Sequence, residues 1–254
     1  PTGRWLVKST AGAGGLGVSW ANPNVADHAP AAYLQEFLDG PTFSGLFLAA
    51  RGDARLIGIA RQERGGPGGE FLYRGSVAPW PVEASLADEV AGVGRALEAE
   101  FRMVGLFGVD FIRNGGRPWV VEVNPRYTAS VELFERATAR TLVDEHRRAC
   151  LDGALPPSEP PRRASRIVGK RILYAERALR FPESGPGADL AGDQGPPWIA
   201  DVPHPGTRIQ AGEPILTYFA EGETPEVCLE RLDREERRWT EWAARCADLG
   251  GVTP

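Results

Sequence analysis

The sequence predicts an α+β protein in three parts, and three observations carry that expectation. Short apolar runs punctuated by Gly and Pro fill the first segment, a long stretch of helical periodicity opens the second, and an apolar hairpin follows that helix directly. Trp5-Leu6-Val7 reads as the first strand and leads into a glycine loop. Further strands are expected from Tyr33 to Leu38, Phe43 to Ala50, Arg55 to Ala60 and Phe71 to Tyr73. From Val82 to Arg102 the residues Leu86, Val90, Val93, Leu97 and Phe101 recur at helical spacing, which predicts an amphipathic helix laid over a sheet. Gly105 to Ile112 and Trp119 to Val123, joined at Asn114-Gly115-Gly116, read as an antiparallel hairpin.

A second helix is expected from about Val131 to Leu151, and the Pro- and Arg-rich stretch from Leu155 to Arg163 marks a boundary. Beyond it come a strand from Ile167 to Tyr174, a Gly/Pro-rich loop from Pro182 to Pro197, and β-type runs at Ile199 to Val202 and Pro214 to Phe219. A charged amphipathic helix from Pro225 to Ala247 closes the pattern. The expected parts are 1–81, 82–155 and 156–254. Because residue 1 is Pro and Arg4 to Lys8 already reads as a strand, the chain is expected to begin inside a domain, with an upstream domain missing.

A chain of 254 residues, 42% hydrophobic and 25% charged, can bury one or two ordinary cores. A net charge of -5 with no basic stripe argues against nucleic acid as a partner. No apolar stretch approaches the ~20 residues that span a bilayer and no signal peptide opens the chain, so no membrane partner is expected and a cytoplasmic location is the default. Cys150, Cys228 and Cys246 are odd in number and far apart, as expected of reduced thiols, and His28, His146 and His204 have no ligand spacing. No transition-metal site is expected.

Gly12-Ala13-Gly14-Gly15-Leu16-Gly17 satisfies the dinucleotide fingerprint G-x-G-x-x-G, but Val18-Ser19-Trp20 and Asn22-Pro23 leave no room for the helix that this fingerprint requires. Nor is it a Walker loop, since Lys8 precedes the glycines. The remaining reading is a hairpin loop whose backbone approaches a triphosphate while Lys8 supplies positive charge.

The hairpin around Asp110 and Glu122 carries more information. Glu122 and Asn124 share a strand face. A three-residue turn at 114–116 would set residue 110 opposite 120 and bring Asp110 to that same face, whereas a two-residue turn would direct it away. Three oxygen donors on one face suit Mg²⁺ bound to phosphates. Pro125 ends the strand and leaves Arg126 at its mouth, where a guanidinium can meet charge on a transferring phosphoryl group. A plain half-exposed hairpin is the alternative.

Taken together these residues resemble the ATP-grasp superfamily of carboxylate–amine ligases and biotin-dependent carboxylases. Trp5 to Lys8 with Gly12 to Gly17 is similar to its phosphate lysine and glycine flap, and Tyr33-Leu34-Gln35-Glu36-Phe37-Leu38-Asp39-Gly40 to its adenine hinge. The resemblance implies two α+β subdomains sandwiching ATP, then a smaller β-rich region and a terminal helix. It implies nucleotide contacts from Lys8, Gly12, Gly14, Gly15, Gly17, Gln35, Glu36, Phe37 and Leu38, a metal set of Asp110, Glu122 and Asn124 for Mg²⁺ or Mn²⁺, and catalytic roles for Lys8 and Arg126. Where many members carry an acid for the ribose, this chain has Thr42, which stays among the nucleotide candidates while the ribose contact is unassigned.

The implied activity is ATP-dependent activation of a small carboxylate as an acyl phosphate for capture by an amine. Phe71 to Ser76 and Trp198 to Thr207 look similar to a predicted carboligase group related to tyramine–glutamate ligases. Two rival readings are a carboxylation like that of biotin carboxylase and a non-catalytic ATP-binding subunit. A homodimer, or a partner chain that supplies the upstream domain, would complete the assembly.

Overall fold

A computed structural model describes residues 3–22, 31–67, 69–156, 166–186 and 198–249. A small sheet comes first, built from β1 (Trp5–Ser9), β2 (Ser19–Trp20) and β3 (Ala32–Glu36) in the order β2-β1-β3. No helix follows the glycine loop; β2 does, which makes the loop the tip of a hairpin.

The chain then builds β4 (Thr42–Ala50), β5 (Asp53–Arg64), β6 (Tyr73–Ala78), α1 (Ala84–Phe101), β7 (Gly105–Asn114) and β8 (Arg117–Asn124). After α2 (Val131–Thr138) and α3 (Leu142–Asp152) come β9 (Ile167–Tyr174), β10 (Leu179–Arg180), β11 (Ile199–Ala200), β12 (Arg208–Ile209), β13 (Pro214–Gly222) and α4 (Pro225–Leu249). Eight strands form one antiparallel sheet in the order β11-β13-β9-β6-β5-β4-β7-β8, so strands from all three sequence segments share it. The fold is α+β, as expected. Parts of the expected linker (157–163) and of the loop to Pro197 (187–197) lie outside the described residues, as does His28.

Both faces of the large sheet are covered. On the back, α1 seals Phe43, Phe47, Phe107, Val109 and Phe111, while α4 seals Val77, Leu173, Tyr218 and Ala220 with Cys228, Leu232 and Trp239. On the front, α2 and α3 pack Val131, Leu133, Phe134 and Leu142 onto Leu46, Leu48 and Leu106. The rest of the front face is left to the small sheet. Among the described residues no helix is long and apolar enough to cross a membrane.

Three local expectations need correction. The helix expected from Val131 to Leu151 is two helices, because Ala139 takes a left-handed φ of 53° and returns its N–H to Glu135 O at 2.9 Å. The strand expected at Phe71 to Tyr73 starts where it was expected to end, because ladders to β5 and β9 impose extended backbone on Gly75-Ser76 despite their poor intrinsic preference.

The third is the expectation that a two-residue turn in the central hairpin would direct Asp110 away. The turn has two residues: Asn114 pairs with Arg117, and Gly115 and Gly116 take φ of 59° and 80°, the doubly positive pair that a tight hairpin turn demands. That register alone would direct Asp110 away from Glu122. A β-bulge corrects it, since Phe111 pairs with Val120 but Asp110 pairs with Glu122, leaving Val121 as the extra residue. Asp110, Glu122 and Asn124 therefore do share a face, through a bulge instead of a turn.

α1 approaches the sheet closely at Gly94, where an added Cβ would lie 2.2 Å from the ring of Phe47. Phe47 is fully buried and stacks on Phe107 at 4.9 Å, so it has nowhere to retreat. Gly94→Ala is therefore expected to destabilise by about 1–3 kcal/mol through overpacking, outweighing the ~1 kcal/mol that alanine gains over glycine in a helix. Urea unfolding measures this, and a neutral or stabilised variant would contradict the packing described.

Candidate active site

Between the small sheet and the uncovered front of the large one lies a cavity of about 420 Å³. Its floor is a lateral row of polar side chains from five neighbouring strands. Thr42 and Ser44 come from β4, Gln62 and Arg64 from β5, Tyr73 and Ser76 from β6, Asp110 from β7, and Glu122 and Asn124 from β8. Directly opposed residues of an antiparallel ladder share a face, which aligns Ser44, Asp110 and Glu122 in one rank.

Asp110 is the centre of this row. Its Oδ1 accepts from Gln62 Nε2 at 3.0 Å, its Oδ2 accepts from Asn124 Nδ2 at 3.4 Å, and the Ser44 hydroxyl also bonds it. Burial pushes its carboxyl above the ordinary aspartate range, the Ser44 and Gln62 bonds oppose this, and the negative Glu122 adds to the rise. Asn124 is held at both ends, because its Oδ1 accepts from Arg126 Nη2 at 3.2 Å. Arg126 also donates from Nη1 to the carbonyl of Tyr127 at 3.0 Å.

The roof is the first hairpin. Lys8 Nζ donates to Gln35 Oε1 at 3.0 Å, joining the neighbouring strands β1 and β3 of the roof. The glycine loop is pinned at its tip: Tyr73 N–H donates to Gly14 O at 2.8 Å, and Gly15 lies so close that a Cβ there would sit 1.9 Å from Phe71 O. Trp20 packs on Phe37 and Phe71 with centroids 4.8 and 5.4 Å apart, and Arg4 covers the Phe37 ring at 4.2 Å. Gly15→Ala combines that collision with a φ of 81°, so the loop must lift from Phe71. Its expected effect is a rise of about tenfold in the Kd of the cavity's ligand, roughly 1.4 kcal/mol, with little change in Tm; an unchanged Kd would show that the loop does not bear on the ligand.

Of the residues singled out in the sequence, the cavity is lined by Lys8, Gly12, Gly14, Gly15, Gln35, Glu36, Phe37, Leu38, Thr42, Asp110, Glu122, Asn124 and Arg126. Gly17 is in the same loop, at φ 75°, but is not among the lining residues. The sequence reading missed Ser44, Gln62, Arg64, Tyr73, Ser76, Thr128 and Ser130. Three of these had a local signal: Ser44 stands two residues from Thr42 in an apolar strand, and Gln62 and Arg64 alternate at the end of β5. Tyr73 and Ser76 had none, since three residues apart in a regular strand they would face opposite ways.

Residues 1–130 match the model of a family described as an ATP-grasp domain. The chain belongs to the ATP-grasp family. A relative, uncharacterized protein MJ0776 of Methanocaldococcus jannaschii, is 24% identical over 174 residues, 66% of this chain and 40% of that protein. Among solved structures, an L-amino acid ligase from Bacillus licheniformis superposes with a TM-score of 0.72 at 16% identity, over 94% of this chain and 62% of that one. The biotin carboxylase domain of Hydrogenobacter thermophilus 2-oxoglutarate carboxylase, solved with MgADP, ADP and bicarbonate, gives a TM-score of 0.66 at 15% identity, over 90% and 55%. These likenesses agree with the ATP-grasp fold, and the chain spans between 40% and 62% of the length of these relatives.

An ATP-grasp site implies a divalent cation, and the donors can be tested for fit. Asp110 and Glu122 face each other as two carboxylates whose mutual repulsion a cation would relieve, and both are hard oxygen donors of the kind Mg²⁺ takes. Asn124 can add a neutral oxygen, which it now shares with Arg126. Among the described residues no group of three or more His, Cys, Asp and Glu converges, so the donor set is two acids and an amide. That set suits a cation completing its shell with phosphate and water. His146 has a structural role instead, its Nδ1 accepting the Leu106 N–H at 2.9 Å, and all three cysteines are free.

Proposed function

We propose that the chain is an ATP-dependent ligase that converts a small carboxylate to an acyl phosphate and transfers the acyl group to an amine, releasing ADP and phosphate. The observation that carries this reading is the convergence of Lys8, Gln35, Asp110, Glu122 and Arg126 on one cavity between two sheets. Gln35, its Oε1 engaged by Lys8, offers its amide N–H to the adenine edge beside the backbone of Glu36 and Leu38. Phe37 is fixed by Arg4 and Trp20, which fixes that backbone in turn. Thr42 and Arg64 border the same region of the floor and are available to the sugar and phosphates.

Asp110, Glu122 and Asn124 would hold Mg²⁺, or Mn²⁺, which when bound neutralises phosphate charge. Lys8 contributes charge from the roof and the glycine loop contributes backbone donors, so the triphosphate is held from above and below. Arg126 stands at the mouth of β8, where its guanidinium stabilises the charge that develops as a substrate carboxylate oxygen attacks the γ-phosphorus and ADP departs. The amine nitrogen then attacks the acyl carbon, phosphate leaves, and an amide forms with loss of a proton. No side chain of the protein becomes covalently modified.

The test is ADP and phosphate release from Mg-ATP across a panel of amino acids, amines and bicarbonate, with Asp110→Ala and Glu122→Ala alongside. Release that requires both a carboxylate and an amine, and disappears in both variants, is the expected outcome. Release driven by bicarbonate alone would replace the ligase with a carboxylation, and nucleotide binding with no turnover on any pair would replace it with a non-catalytic subunit.

A further inference from the structure

We propose that α4 is a positioning element for the nucleotide cavity, acting through Arg171, Glu63, Arg74 and Glu236 on the back of the strands that form the cavity floor. The inference rests on the ATP-binding reading above. Arg171, on β9, is 3% exposed, and each nitrogen of its guanidinium donates to a carboxylate. It forms a two-pronged bond to Glu63 of β5, Nε to Oε2 at 2.7 Å and Nη2 to Oε1 at 2.9 Å. From Nη1 it bonds Asp233 at 2.6 Å and Glu236 at 2.9 Å, both on α4.

Arg171 and Glu63 are two strands apart, and the side chain crosses β6 to join them. The residue between is Gly75, paired with both, where a Cβ would sit 3.0 Å from Arg171 Cγ and 2.1 Å from the carbonyl of Lys170. Glu63 in turn lies between Gln62 and Arg64. In an extended strand the middle residue faces the back while its neighbours face the front, and both neighbours line the cavity. Clamping Glu63 therefore sets the direction of Gln62, which holds Asp110 at 3.0 Å.

A second link supports the same strands. Glu63 pairs with Gly75 but Arg64 pairs with Tyr73, so Arg74 is the extra residue of a β-bulge, and its side chain is ion-paired to Glu236 of α4. The bulge is what places Tyr73 on the front face with Ser76, where the two hydroxyls meet at 2.8 Å. Glu236 thus joins the bulged residue and the Arg171 clamp. These residues do not touch the cavity; they act through Gln62, Arg64 and Tyr73, which do.

The experiment is equilibrium binding of Mg-ATP to the full chain, measured well below Tm for each variant. Glu236→Gln, which removes a charge shared by Arg74 and Arg171, is expected to raise the Kd about tenfold, on the scale of one charge-assisted hydrogen bond lost. Arg171→Lys, which keeps the charge but not the planar fork, is expected to weaken binding at least as much. Glu235→Gln is the control, since among the described residues that neighbouring acid is paired to Arg238 of its own helix, at 3.4 Å, and not to the sheet, and its Kd should stay within about twofold of wild type. A lowered Tm with unchanged Kd in Glu236→Gln would show that the network only holds the helix, and overturns the proposal. Absence of Mg-ATP binding by the wild-type chain overturns the ATP-binding reading itself and the proposal with it.

Discussion

Asp110→Asn is expected to remove nearly all ATP-dependent turnover and at the same time to raise the melting temperature. The loss, about 10²–10³-fold in kcat, is the scale seen when one preorganised electrostatic contact is removed from a reacting centre. The gain in stability follows from the raised carboxyl. Burial lifts Asp110 above the ordinary range, so its ionised form is one that the unfolded chain solvates better than the fold does. That cost appears as pH rises through the unfolded carboxyl range, is complete above the folded value, and is absent in acid, where both states are protonated. Asparagine keeps the shape and can still accept from Gln62. At neutral pH a rise in Tm is expected, shrinking as the pH is lowered. Calorimetry at two pH values reads it directly; a lower Tm at neutral pH would mean that Asp110 is held for stability and not for a ligand.

Arg126→Ala carries the second large effect. Arg126 is aimed by two contacts, to Asn124 Oδ1 and to the carbonyl of Tyr127, and it follows Pro125, which ends β8. Its position beside Asp110 and Glu122 but outside the strand makes it a cation available to the developing charge in the proposed reaction. A fall in kcat of about 10²–10³-fold is expected, with the KM for ATP changed by less than about tenfold, because the interaction strengthens in the transition state. Arg126→Lys should recover little, since a single ammonium cannot both hold Asn124 and face the phosphoryl oxygens. Equal losses in kcat and nucleotide affinity would assign Arg126 to ground-state binding.

Much of this site was legible in the sequence because its residues sit in two local patterns. Lys8 before the glycines and Gln35 in its apolar run mark the roof; Asp110 and the Glu122–Asn124–Arg126 alternation mark one end of the floor. The register joining Asp110 to Glu122 was not legible. A three-residue turn and a two-residue turn with a bulge give the same shared face, and nothing in Val120-Val121 distinguishes them. Tyr73 was hidden for the same reason, its direction depending on the bulge at Arg74. Long-range pairing was also out of reach: β9 and β13 have ordinary strand periodicity, and only the ladder of Ser76 to Lys170 and its neighbours shows that they extend the same sheet. The break at Ala139 lies in a stretch whose apolar spacing continues across it, so a single helix was the natural reading.

The most direct measurement is isothermal titration of ATP into the chain with and without Mg²⁺, on wild type, Asp110→Ala and Glu122→Ala. Wild type should bind ATP more tightly when Mg²⁺ is present, and each variant should lose that enhancement while retaining the contacts made by Lys8 and Gln35. ATP binding indifferent to Mg²⁺ in all three proteins, or no binding to the wild type, would contradict the assignment of this cavity as a metal–nucleotide site.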